Sequence, residues 1–304
     1  MTLLDRVATA PISWGVCEVP GWGHQLTPDR VLSEMAELGF TKTELGSAGW
    51  LPSGAADIRA ALEPHNLELL ASFIPLVMHV PEHGDEALSQ ATEAAQMLSE
   101  AGARYFNTAP VTSSEWEPRS PVTDGQLTHM AEMFDEVDKI CRRHGIHQVV
   151  HEHFGCVIET GSEVEWVLEA TEVDLVLDTG HLALGGASSI DLVRDHVNRI
   201  GLVHLKDTNC GLIEDLTSGN KTLMESVQAG IFPALGEGDL SIDKVIMELE
   251  DQGYDGWYVI EQDVAITGDL PAAGQGPMVD VATSLAFLSD IAESLPVSTP
   301  SASA

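Results

Sequence analysis

The stretch from Asp174 to Asp207, DLVLDTGHLALGGASSIDLVRDHVNRIGLVHLKD, decides the fold of this chain. A short apolar run, Asp174–Asp178, leads through a helical segment, Ile190–His196, to a second apolar run, Ile200–Lys206. Short apolar runs separated by helical pattern read as strands of a parallel sheet with helices packed over it. Each run also ends in groups that a buried strand has no packing reason to carry. The first ends Asp178-Thr179-Gly180-His181 and the second His204-Leu205-Lys206-Asp207.

Outward from that unit the alternation continues in both directions. Strands are predicted over Arg6–Trp14, Phe40–Leu45, Leu67–Phe73, Tyr105–Ala109, Ile146–His153 and, beyond the central unit, Trp257–Glu261. Helices are predicted over Thr27–Leu38, Ala55–His65, Asp85–Ala101, Thr123–His144, Ser162–Ala170, Ser241–Gln252 and Pro277–Ser294, with a short one near Thr222–Ala229. Thr27 serves as N-cap, Pro28 suits the first turn, and Gly39 is a stop. Leu127, Met130, Met133, Phe134, Val137 and Ile140 recur at the helical period. Eight strands, each followed by a helix, are the count of a (β/α)8, or TIM, barrel. No composition break divides residues 1–295, so one catalytic domain is expected. The tail Pro296–Ala304, PVSTPSASA, is predicted to be disordered. An open doubly wound sheet lacks support, because no GxGxxG or GxxxxGKS follows a strand.

Composition narrows the function. The 304 residues carry 14 Lys plus Arg against 48 Asp plus Glu, a formal net charge of −34. A field of that sign repels phosphate backbones and anionic membrane surfaces, so neither nucleic acid nor membrane is expected as a partner. Nothing approaches the roughly 20 apolar residues of a membrane span, and the first ten residues hold no leader-like apolar run, so a cytoplasmic location is expected. Cys17, Cys141, Cys156 and Cys210 form no CxxC pair and are expected to be reduced and mostly buried.

The chemistry gathers at the strand ends. Strand five closes on His151-Glu152-His153 and strand eight on Glu261-Gln262-Asp263, beside the two endings already quoted. In a barrel these ends meet at one mouth, where active sites are built. Buried there without a partner, such groups would cost several kcal/mol each, and a shared cation removes that cost. Mixed oxygen and nitrogen ligands suit Mn2+, Co2+, Fe2+ or Mg2+, with Zn2+ possible. Asp178, His204 and Glu261 are three of the expected ligands. In strand five, alternation puts His151 and His153 on one face. His153 is the ligand if the strand stays regular, and Glu152 if a bulge intervenes.

With these residues in view, the chain resembles the xylose-isomerase-like barrel superfamily and, within it, the inosose dehydratase branch. The likeness runs from residue 6 to about 290. It is carried by PISWGVCEVPGWG (Pro11–Gly23), GFTKTELGSAGWLP (Gly39–Pro52), HEHFGCVIET (His151–Thr160), LDTGHLALGG (Leu177–Gly186), VHLKD (Val203–Asp207), GIFPALGEGD (Gly230–Asp239) and VIEQD (Val259–Asp263). The resemblance implies metal-dependent dehydration of a small polyol ketone, 2-keto-myo-inositol, with Mn2+ or Co2+ as the first choice of metal. It places metal ligands at the ends of strands five to eight. Sugar epimerases of the superfamily carry a strand-five Glu with a second Glu six residues on. Counting back six from Glu159 reaches His153, which favours that residue as the fourth ligand. His181, Lys206 and Glu152 are acid–base candidates. Glu44, Glu159 and Trp14 are candidates for the substrate hydroxyls and ring, with Trp22 and Trp50 beside Trp14 as an apolar wall. An isomerase or epimerase on the same scaffold shares the enolisation step and is the alternative. A metal-dependent endonuclease is opposed by the charge, and a non-catalytic sugar-binding protein would leave the ligand set without a purpose. A homo-oligomer is compatible with the resemblance.

Overall fold

A computed structural model describes residues 1–295; the expectation for the tail falls outside the described residues. The strands are β1 (Val7–Thr9), β2 (Lys42–Glu44), β3 (Glu68–Leu76), β4 (Tyr105–Pro110), β5 (His147–His151), β6 (Asp174–Asp178), β7 (Ile200–Leu205) and β8 (Trp257–Ile260). All neighbours pair in parallel, and β1 pairs β8 to close the barrel in sequence order. The expected (β/α)8 fold is the observed one.

The helices are α1 (Pro28–Glu37), α2 (Ala55–Leu62), α3 (Gly84–Ala101), α4 (Asp124–Arg143), α5 (Gly161–Ala170), α6 (Thr179–Leu184), α7 (Ser189–His196), α8 (Ile213–Thr217), α9 (Leu223–Gln228), α10 (Ile242–Asp251) and α11 (Pro277–Ser294). Local signals explain their ends. Thr123 and Gln126 form a reciprocal capping box at the start of α4, which satisfies amide groups that the first turn leaves free. The buried face of α4 is Met130, Met133, Phe134, Val137, Ile140 and Cys141. Gly102, at φ 93°, ends α3 in the left-handed conformation that glycine adopts without a Cβ penalty.

Two strands stop two or more residues short of the end that the sequence pattern suggested. The first, expected over Arg6–Trp14, covers only Val7–Thr9, and Pro11–Trp14 forms a 3-10 turn closed by Gly15. Pro11 has no N–H to give to a ladder. The fifth, expected to reach His153, stops at His151. Among the cysteines, Cys141 and Cys156 are buried and free, Cys17 is half-buried and Cys210 is exposed, so burial is less general than expected.

Alternation along the strands sorts the core into two layers. Val149, Val176, Leu202 and Val259 pack inside the barrel with Ala8, Ala10, Leu70, Ala71 and Trp257. Their neighbours Val150, Leu175, Leu177, Val203, Leu205, Tyr258 and Ile260 pack outward against the helices. At the N-terminal end, the buried Arg6 guanidinium donates to the carbonyls of Tyr254 and Gly256 and to Glu250, tying β1 to the entry of β8. At the other end, the Asp207 carboxylate accepts four backbone N–H groups: Thr208 (2.8 Å) and Leu240 (3.1 Å) on Oδ1, Gly236 (2.9 Å) and Gly238 (3.1 Å) on Oδ2. One side chain thereby pins the long excursion between β7 and α10. Among the described residues no helix is long and apolar enough to cross a membrane.

Candidate metal centre

The inward alternation continues past the core by one step on four strands. Two residues beyond Val149, Val176, Leu202 and Val259 stand His151, Asp178, His204 and Glu261. Each offers one ligand atom, and these atoms lie within 4.8 Å of one another. The first three are buried and Glu261 is nearly so.

Hydrogen bonds aim these groups. Asp178 caps α6: its Oδ1 accepts the N–H of Gly180 (2.9 Å) and His181 (2.8 Å). Its Oδ2 is buried with no hydrogen-bond partner, 3.8 Å from both His151 Nε2 and His204 Nδ1. A buried carboxylate oxygen without a hydrogen bond, facing two imidazole nitrogens, is what a divalent cation would satisfy, so the residues fit a metal. His151 donates from Nδ1 to the carbonyl of Glu152, which leaves Nε2 for the centre. His204 Nδ1 lies 2.8 Å from Glu261 Oε2, and its Nε2 lies 2.9 Å from Glu44 Oε1.

The strand-five expectation shifts here. His151, not His153, joins the group. The strand ends at His151, so His153 leaves the inward alternation: its Nδ1 bonds the Phe154 carbonyl at 2.8 Å and its ring centroid sits 3.9 Å from that of His181. Glu152 is buried, and its Oε1 accepts the Asp178 N–H at 2.9 Å.

Beside the four lies Lys206, fully buried. Its Nζ is 2.9 Å from Asp263, 3.2 Å from Glu261, 3.5 Å from Asp178 and 3.2 Å from His181 Nε2. Burial opposes its charge, but Asp178, Asp263 and Glu261 outweigh burial and hold its pKa above the ordinary lysine value. Burial drives His181 the other way, reinforced by His153 and Lys206, so that its imidazole is neutral at pH 7. His153 is lowered to about 4 by burial and then Lys206. Burial also raises Asp178 to about 7, against the pull of Lys206. His204 is raised despite burial, because Glu261 and Glu44 flank it. Gly180 permits this packing: a Cβ there would come within 2.6 Å of Lys206 Cγ.

These features, four ligand-competent side chains at the ends of β5 to β8 of a closed parallel barrel, agree with a family model described as xylose isomerase-like TIM barrel, which matches residues 32–289. The chain belongs to that family. Among relatives, the inosose dehydratase of Geobacillus kaustophilus is 31% identical over 275 residues, covering 86% of this chain and 89% of that one. The inosose dehydratase of Clostridium perfringens is 26% identical, covering 88% and 94%. Of solved structures, the IolI protein with a bound zinc atom superposes with a TM-score of 0.72 at 16% identity, covering 95% of this chain and 98% of that one. An L-ribulose 3-epimerase superposes at 0.68 with 14% identity, covering 95% of each. At those identities the two structures speak for the fold.

The remaining expected residues divide. Glu44 reaches the centre, but through His204. Glu159 does not: its carboxylate pairs with Arg119 at 3.0 Å and accepts the Gly155 N–H at 2.6 Å, bracing the loop after β5. Trp14 is fully buried and donates to Glu34 at 2.9 Å, so it is core rather than wall. Trp22 and Trp50 likewise spend their indole N–H on the carbonyls of Val264 and Leu26. The aromatic surface beside the centre comes instead from Phe73 and Trp116, with Phe232 on the side of Lys206 and His181. Their rings stack at 6.1 Å, and Phe73 lies 5.8 Å from His151 and 5.6 Å from His153. Trp116 is 44% exposed, 6.0 Å from His153, and sits at φ 54°. Phe73 ends the predicted third strand, the one signal that could have found it. Trp116 lies in a loop with no periodicity to mark it. Asp263 was visible only as part of Glu261-Gln262-Asp263.

Proposed function

We propose that the chain is a divalent-metal-dependent hydro-lyase that dehydrates 2-keto-myo-inositol to a trihydroxycyclohexane-dione. Convergence of His151, Asp178, His204 and Glu261 within 4.8 Å carries the reading. The inosose dehydratases similar along most of the chain supply the substrate class. His151, Asp178, His204 and Glu261 would hold the ion, and Mn2+ or Co2+ suits two imidazoles with two carboxylates. Bound there, it would polarise the substrate ketone and acidify the neighbouring C–H.

The protein's own groups manage the protons. His181, neutral through burial, accepts the proton from the carbon next to the ketone. Lys206, kept as an ammonium by three carboxylates, donates to the departing β-hydroxyl, which leaves as water. The carbon–carbon double bond formed carries a hydroxyl and tautomerises to the dione, so one water is lost and no oxidant is needed. Phe73 and Trp116 present an apolar face to the C–H side of the ring. Residues 1–295 act as one catalytic unit in the cytoplasm, with a neutral small molecule rather than nucleic acid as partner.

The test is incubation of purified protein with 2-keto-myo-inositol, following dione absorbance before and after chelation. Appearance of the dione, its loss on chelation and recovery with Mn2+ or Co2+ are expected. A rearranged sugar or inositol isomer without dione would replace this reading with isomerisation.

A further inference from the structure

Glu44 is the one carboxylate at the mouth supplied by β2, separated from β7 by β8 and β1 around the barrel. It is 4% exposed. Among the described residues its carboxylate has one hydrogen-bond partner, His204 Nε2 at 2.9 Å. A local irregularity sets up this reach. The β2–β3 pairing shifts register between Thr43 and Glu44, passing over Leu70, so that Glu44 stands opposite Ala71. Shifts of this kind re-aim a side chain next to a functional site. The methyl of Ala71 leaves room for the longer side chain beside it.

His204 has two ring nitrogens with different tasks. Nδ1 faces Glu261 at 2.8 Å and Asp178 Oδ2 at 3.8 Å, and Nε2 faces Glu44. A ligating imidazole must present a lone pair on one nitrogen and carry its proton on the other. His151 solves the same problem with a backbone carbonyl on Nδ1. His204 has Glu44 for this purpose.

From this arrangement we infer that Glu44 is a positioning residue: its carboxylate accepts the Nε2–H of His204, which fixes the tautomer and ring orientation that turn Nδ1 towards the metal. It replaces the substrate-contacting role expected from the sequence. The inference rests on the metal-centre reading of His151, Asp178, His204 and Glu261. Outer partners of this type are worth about 10–100-fold in metal affinity.

The experiment is calorimetric titration of metal-free protein with Mn2+, with no substrate present, for wild type, Glu44→Ala and Glu44→Gln. Glu44→Ala is expected to weaken binding about 10–100-fold. Glu44→Gln keeps an acceptor oxygen within reach and is expected to recover most of that loss. Thermal melts of the metal-free proteins separate folding from binding, and should Glu44→Ala fail to fold, Glu44→Asp, one methylene too short, takes its place with the same expected weakening. The d–d absorption of the Co2+ form should shift in Glu44→Ala and return towards wild type in Glu44→Gln. Wild type that binds no Mn2+, Co2+ or Zn2+ overturns the metal centre and this role with it. Wild type that binds, beside a Glu44→Ala or Glu44→Asp protein of equal affinity, overturns the Glu44 role alone. Glu44→Gln as weak as Glu44→Ala overturns it too.

Discussion

Replacing Asp207 by Asn keeps the shape of the side chain and removes its charge. The carboxylate accepts four backbone N–H groups, two on each oxygen. An amide has one accepting oxygen, so whichever way it lies, two N–H groups face an NH2 group. A hydrogen bond to a charged group is worth about 1.5–3 kcal/mol, so losing two costs about 3–6 kcal/mol before relaxation. Domains of this kind hold only about 5–15 kcal/mol in total. The segment cannot yield cheaply, because Gly238 passes so close that a Cβ there would lie 2.3 Å from Asp207 Oδ1. Equilibrium urea unfolding at pH 7, followed by circular dichroism, should show the midpoint falling sharply with the slope unchanged. A loss below about 1 kcal/mol would refute the claim that this carboxylate holds the segment. The same change should disturb the centre, since the excursion that Asp207 pins carries Phe232, whose ring lies 5.1 Å from Lys206 Nζ and 6.0 Å from the His181 ring.

Other perturbations separate the roles within the mouth. His151→Ala should lose bound metal on dialysis, measured by plasma emission spectroscopy, whereas His153→Ala should retain it; the reverse pattern would restore the strand-five assignment expected from the sequence. Removing the exposed ring in Trp116→Ala should raise KM about 2–10-fold, the equivalent of about 0.5–1.5 kcal/mol of aromatic contact, with kcat little changed; an unaltered KM would exclude the wall. Glu163 accepts the N–H groups of Glu159 and Thr160 and pairs with Arg119, and these contacts outweigh burial to hold its pKa below the ordinary value. Its contribution is therefore complete above the unfolded carboxylate value of about 4.3 and vanishes as pH falls through the depressed folded value. Thermal melts of Glu163→Gln should lie below wild type at pH 7 and converge with it in acid; a constant gap at every pH would contradict this.

The architecture was legible because eight apolar runs kept their spacing, and Asp178, His204 and Glu261 because each closes such a run. His151 was the harder case. Alternation alone gave His151 and His153 the same face, and only the end of the strand at His151 separates them. The tryptophans misled for a different reason. Trp14, Trp22 and Trp50 lie near early strand ends in sequence, but their rings pack against the core, and each indole N–H finds an acceptor there, as Trp14 does in Glu34. The bond between Glu44 and His204 joins residues on strands three apart around the closed barrel, a relation that periodicity along one strand does not encode.

The four side chains proposed as ligands come from four separate strands, so the complete set exists only in the closed barrel. An ion held by all of them binds the native state and has little to grip in a chain with those strands parted. Its free concentration then becomes a handle on folding: once it exceeds the dissociation constant, each further tenfold adds about 1.4 kcal/mol to resistance against unfolding. If the proposed centre holds a metal, its depletion would thus reach beyond turnover to the stability of the fold itself.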